Sequence, residues 1–94
     1  MQIYLNGKLV SKEEAKISVF DHAFLYGDGV FDTLRTYNKK IFKIDMHINR
    51  LYKSAKMTGF NIPLSKDEMK EAIKNTVAAN KFSEGSEARI RITV

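Results

Sequence analysis

Apolar residues recur along the chain with two different periods, and the switch between them marks out the elements. Gln2 to Val10 alternates on either side of Asn6-Gly7, a pair able to supply the positive φ at both turn positions of a type I′ hairpin. Ser11 to Lys16 is a charged connector, and Ile17 to Phe20 returns the chain to apolar character. Around Gly27-Asp28-Gly29 the backbone gains freedom for a sharp turn that feeds directly into the strand Val30 to Tyr37. With a period of two, Phe31, Thr33, Arg35 and Tyr37 share one face of that strand, and Val30, Asp32, Leu34 and Thr36 share the other. Both faces are mixed, and a polar group on an otherwise apolar face needs a partner.

Past Asn38-Lys39-Lys40, a short polar break, Ile41 to Ile44 is expected as the second arm of a hairpin. The period then lengthens. Asp45 is expected to cap a helix running to about Thr58, with Gly59 as its stop. Its apolar stripe is Ile48, Leu51, Tyr52 and Ala55, while His47 and Arg50, three apart, lie on an adjoining polar face. Phe60 to Leu64, with Pro63, is an extended connector. Ser65 and Glu68 match a capping box that opens a second helix, running to about Asn80 and burying Met69, Ala72, Ile73, Thr76 and Val77. Lys81 to Ser86 is expected as a loop, and Glu87 to Val94 as a strand with Ala88, Ile90, Ile92 and Val94 on its buried face. The whole predicts one α+β domain over residues 1–94, a small two-layer arrangement of antiparallel sheet and two helices. The last strand stops on an apolar residue with no polar cap, so the chain reads as a fragment of something longer.

Composition narrows the chemistry. Ninety-four residues allow a modest core and leave little to enclose a deep substrate cavity. A hydrophobic share of 44% excludes a disordered chain, and the absence of cysteine excludes a disulfide framework and a thiolate metal site. His22 and His47 are far apart in sequence with no repeated ligand spacing, so no metal is expected. No apolar run approaches a membrane span and no leader is recognisable, which makes the cytoplasm the expected compartment. The net charge of +5 comes mostly from lysines scattered among acids, a solvated surface more than a nucleic-acid footprint.

Candidate chemistry centres on few residues. Arg50 on its helix could grip a phosphate or carboxylate with paired donors. Tyr26 and Phe31, beside the glycine turn, could line a pocket or simply pack. Gly27-Asp28-Gly29 lacks the third glycine of a dinucleotide fingerprint, and no Gly-Lys-Ser/Thr follows it, which excludes both nucleotide readings. Asp21-His22 invites a catalytic pairing, yet neighbours on an extended segment point to opposite sides, and a loop hydrogen bond is the expected role of each. No serine or lysine has the surroundings of an activated nucleophile.

The order FDHAFLYGDGVFDTLRTYNKKIF, then HINRLYKSA, the Pro63 connector, a helix and ARIRITV resembles the amino-terminal small domain of the class IV aminotransferases, the fold-type IV pyridoxal phosphate enzymes. The resemblance covers essentially the whole chain, and YGDGVF with HxxRL at this separation is its most specific mark. It implies a homodimeric enzyme with pyridoxal 5'-phosphate, whose phosphate is bound by the arginine of HxxRL, here Arg50, and whose substrate pocket takes in Tyr26 and Phe31. It also implies that the Schiff-base lysine and the glutamate for the pyridine nitrogen lie in a second domain beyond Val94, leaving no catalytic residue in this chain and the piece inactive alone. Branched-chain transamination with 2-oxoglutarate is the expected activity. Asp32-Thr33, where branched-chain enzymes usually carry Glu-Gly, keeps aminodeoxychorismate lyase and D-amino acid aminotransferase open as alternatives. From a different class, a basic polyanion-binding module would use Arg35, Arg50, Arg89 and Arg91 on one exposed face.

Overall fold

A computed structural model describes residues 1–38, 40–80 and 87–94. The expected loop Lys81 to Ser86 lies outside the described residues, as does Lys39. Strands β1 (Gln2–Leu5) and β2 (Lys8–Ser11) form an antiparallel hairpin in which Leu5 faces Lys8. Asn6 at φ +48° and Gly7 at φ +97° make the turn, as the Asn-Gly pair predicts.

The hairpin stands apart from the second sheet, so there are two sheets and not one. In the second, β3 (Phe31–Tyr37) is central, flanked by the short β4 (Lys40–Ile41) and by β5 (Arg89–Thr93), both antiparallel to it. The hydrogen bonding continues one residue further, where Val30 and Val94 exchange N–H···O bonds of 3.1 and 2.9 Å.

Besides a 3-10 turn at Lys12–Glu14 and a short helix α1 (His22–Tyr26), two longer helices cover one face of this sheet: α2 (Ile44–Met57) and α3 (Lys66–Ala79). The core gathers Ile48, Leu51 and Ala55 of α2, Met69 and Ile73 of α3, and Val30. Ile90, Ile92 and Val94 pack against it, as the alternation in the last strand predicts. Ser65 accepts a hydrogen bond from the Glu68 N–H while the Glu68 carboxylate takes the Ser65 N–H, completing the expected capping box. At the other end of α3, the Asn80 amide ties the helix to the hairpin by accepting from Gln2 N–H at 2.7 Å and donating to Gln2 C=O at 2.8 Å.

Three local expectations need correction. Residues from Asp21 to Tyr26 are not extended: α1 follows Asp21, whose C=O accepts from the Leu25 N–H at 2.9 Å. Five residues carry too little periodicity to announce themselves. Asp45 is not the N-cap of α2. That position falls to Lys43 at φ +52°, because β4 is only two residues long and Phe42 still bonds the Arg35 C=O, so the chain must reverse within a single left-handed residue. Asp45 sits instead in the first turn, where its carboxylate suits the helix dipole and pairs with Lys70 at 3.0 Å. Lastly, the two faces of β3 are sharply divided: Asp32, Leu34 and Thr36 are buried, and Phe31, Thr33, Arg35 and Tyr37 are exposed. Thr36 is tolerated inside because its hydroxyl accepts from Ala88 N–H at 2.8 Å and donates to Glu87.

Candidate functional site

Asp32 is the other polar residue on the covered face of β3, at 6% exposure, and its carboxylate accounts for the chemistry around it. One turn of α2 passes over it. Because His47 and Arg50 are three residues apart, both side chains leave the helix on the side that meets the strand. Arg50 donates from Nε to Asp32 Oδ2 and from Nη2 to Asp32 Oδ1, each at 2.8 Å, a bidentate fork. His47 Nδ1 lies 3.0 Å from Oδ1, and the Thr33 N–H adds a further donor to the same oxygen at 2.8 Å. His47 Nδ1 thus sits between an acceptor, Asp32 Oδ1, and a donor, Arg50 Nη2, each 3.0 Å away.

These contacts reset the acid. The Arg50 hydrogen bonds outweigh the opposing effect of burial, and with His47 they hold the Asp32 carboxyl at about 2, below its ordinary 3.8. Arg50 is shifted upward in turn by the hydrogen bond from its side chain to Asp32. A depressed carboxyl contributes stability that is complete above its unfolded value and is lost as pH falls through its folded one. From 3.8 to about 2 this is worth about 2 kcal/mol. Urea unfolding of the chain and of Asp32→Asn, each followed from pH 6 to pH 2, is expected to show the wild type losing that much more than the variant. Parallel curves would show that the carboxylate is not stabilised by its partners.

The chain alone does not bring Arg50 together with the two rings expected beside it. Phe31 points out of the opposite face of β3 and is 63% exposed; Tyr26, at the end of α1, is 69% exposed. A hollow of about 380 Å³ between β1 and α3 is lined by Tyr4, Leu64 and Glu71 among others, and one of about 430 Å³ by Lys40, Ile41, Ile44 and α3 residues. Neither takes in Arg50, Tyr26 or Phe31.

The open face of the sheet has its own organisation. The register sets Thr33 opposite Arg91 and Arg35 opposite Arg89, so three guanidinium groups share that face. Arg91 lies over the Phe31 ring at 4.5 Å and Arg35 over Tyr37 at 5.4 Å. A polyanion module needs Arg50 on the same surface, but Arg50 is committed to Asp32 on the other side of the strand. Asp32 is the residue that sequence reasoning left out of the site. The signal was there, since an acid on an apolar strand face needs a partner and His47 and Arg50 were the paired donors on a helix, but nothing local joins positions so far apart.

Comparison with known proteins agrees with this framework. The family model for amino-transferase class IV matches residues 29–94. Over all 94 residues the chain is 48% identical to a putative branched-chain-amino-acid aminotransferase of Methanocaldococcus jannaschii, covering 32% of that protein. It is 38% identical to a D-alanine aminotransferase of Listeria monocytogenes, with 92% of the chain and 30% of the relative covered. Identity to the aminodeoxychorismate lyase of Bacillus subtilis is also 38%, with 98% of the chain and 31% of the relative covered. Among solved structures, the branched-chain aminotransferase of Thermoproteus uzoniensis with norvaline superposes with a TM-score of 0.88 at 36% identity, over 99% of this chain and 32% of that one. A second branched-chain amino acid aminotransferase, from T.th. and complexed with N-(5'-phosphopyridoxyl)-L-glutamate, gives 0.86 at 38% identity, over 98% and 31%. The chain thus spans about a third of the length of the relatives it matches.

Proposed function

We propose, from the premise that the chain belongs to the class IV aminotransferase family, that it forms the amino-terminal part of a pyridoxal phosphate enzyme that moves amino groups from branched-chain amino acids to 2-oxoglutarate. The observation that carries this reading is the state of Arg50. Of the five N–H groups of a guanidinium, Asp32 takes two, and Nη2 also lies 3.0 Å from His47 Nδ1; the side chain is 58% exposed, which leaves the Nη1 end of the fork open to a ligand. A rigid, charged, planar donor set on a helix fits the dianionic phosphate of pyridoxal phosphate. When bound, that cofactor supplies the electron sink for chemistry at the amino acid's α-carbon, and Arg50 would hold its phosphate end.

The open face of the sheet supplies what a substrate needs. Across β3 from Arg50, Phe31 offers an apolar wall for a branched side chain and Arg91, 4.5 Å from its ring, a cation for the amino acid's α-carboxylate. Tyr26, exposed at the end of α1, completes the pocket from this or a neighbouring subunit of a homodimer. The phosphopyridoxyl-glutamate bound by the T.th. enzyme supports the choice of acceptor, since glutamate is the aminated form of 2-oxoglutarate.

The test uses the intact protein with its cofactor. L-leucine, L-valine and L-isoleucine are expected to change the cofactor's absorbance and to give glutamate from 2-oxoglutarate, with kcat/KM for D-alanine roughly a hundredfold lower. A preference for D-alanine, or release of pyruvate from aminodeoxychorismate without transamination, would overturn the assignment within the family.

A further inference from the structure

We propose that Asp32 is a positioning residue for the cofactor phosphate: without touching it, its carboxylate fixes the edge of Arg50 so that the remaining N–H groups are aimed before the ligand arrives. The proposal rests on the preceding reading that Arg50 grips that phosphate.

The asymmetry of the pair motivates it. Asp32 is 6% exposed, sits on the central strand of its sheet, and has Oδ1 pinned by the Thr33 N–H at 2.8 Å. Arg50 is 58% exposed and reaches the acid from another element. The fixed partner is therefore the acid, and the arginine is the member being oriented. A free arginine side chain carries substantial rotamer entropy, and a ligand that orders it must offset that each time. The two 2.8 Å bonds to Asp32 remove it in advance. His47 wedges the same corner, with Nδ1 3.0 Å from both Asp32 Oδ1 and Arg50 Nη2, which limits rotation about the fork.

Electrostatics argues the other way, and that makes the idea testable by sign. A carboxylate beside Arg50 cancels part of its charge, so if charge alone governed phosphate binding, removing the acid would tighten it. If orientation governs, removing the acid loosens it.

The measurement takes the full-length protein stripped of cofactor and titrates it separately with pyridoxal 5'-phosphate and with pyridoxal, which lacks the phosphate. The Kd for pyridoxal divided by the Kd for the phosphate reports the phosphate grip alone. Arg50→Ala is expected to lower that ratio roughly a hundredfold, the scale of lost charged hydrogen bonds. Asp32→Asn is expected to lower it about tenfold while pyridoxal affinity stays within about twofold, and Asp32→Glu, which keeps the carboxylate, to stay within about threefold of wild type. An unchanged or raised ratio in Asp32→Asn overturns the proposal, and so does an equal loss of both ligands, which marks a merely structural role. If Asp32→Asn does not fold, an Asp32→Glu ratio as low as that of Arg50→Ala overturns it as well. An unchanged ratio in Arg50→Ala instead brings down the underlying phosphate reading, a result distinct from failure of the Asp32 proposal alone.

Discussion

Leu51→Ala is expected to cost the chain about 3 kcal/mol, a large loss for a single truncation. Leu51 is 1% exposed and sits on the middle of α2, between Ile48 and Ala55 on its own helix and the Met69 and Ile73 of α3. Removing its isopropyl group leaves a hole that two helices and a sheet, each held by its own hydrogen bonds, cannot close by moving inward. A folded unit of this size is typically stable by only about 5–15 kcal/mol, so the loss shifts the thermal midpoint by on the order of 15 °C. Met57→Ala, on the same helix but well exposed, is expected to change stability by less than about 0.5 kcal/mol. Urea unfolding of the two variants decides it. Equal costs would mean that α2 does not pack where the structure places it.

The same helix shows why some of the fold was legible in the sequence. Ile48, Leu51 and Ala55 repeat at three- and four-residue spacing, and Ser65 with Glu68 is a local code that requires nothing beyond one turn of chain. Asn6-Gly7 is likewise self-contained, since its dihedrals alone fix the hairpin. What could not be read are the features decided by distant residues. Lys43 takes a left-handed conformation because β4 is short and the chain must turn at once onto the sheet, a constraint invisible in the lysine itself. The apparently mixed faces of β3 resolve only when Asp32 finds Arg50 and His47, and Thr36 finds Glu87 and Ala88, on elements that follow much later. For the site, sequence named Arg50 and Phe31 individually; it could not show that the strand between them puts them on opposite faces.

Arg50→Ala and Asp32→Asn should therefore be strongly non-additive in stability. Removing Arg50 alone strips the carboxylate of two hydrogen bonds at 2.8 Å and of its compensating charge, yet leaves it on the covered face of β3 with only the Thr33 N–H and His47. A buried acid left underpaired is destabilising, and at pH 7 the thermal midpoint of Arg50→Ala is expected to fall by roughly 5–10 °C. In Arg50→Ala,Asp32→Asn the charge is gone as well, an amide of the same shape still accepts from Thr33, and most of that loss should return. The pH dependence carries the same sign argument. The advantage of wild type over Arg50→Ala is present above the ordinary carboxyl value of 3.8 and fades as pH falls toward about 2, where half of Asp32 is protonated even with its arginine. Additive losses in the double variant, or an Arg50→Ala deficit that persists undiminished at pH 2, would mean that the arginine stabilises the domain through its hydrocarbon stem and not through the acid it holds.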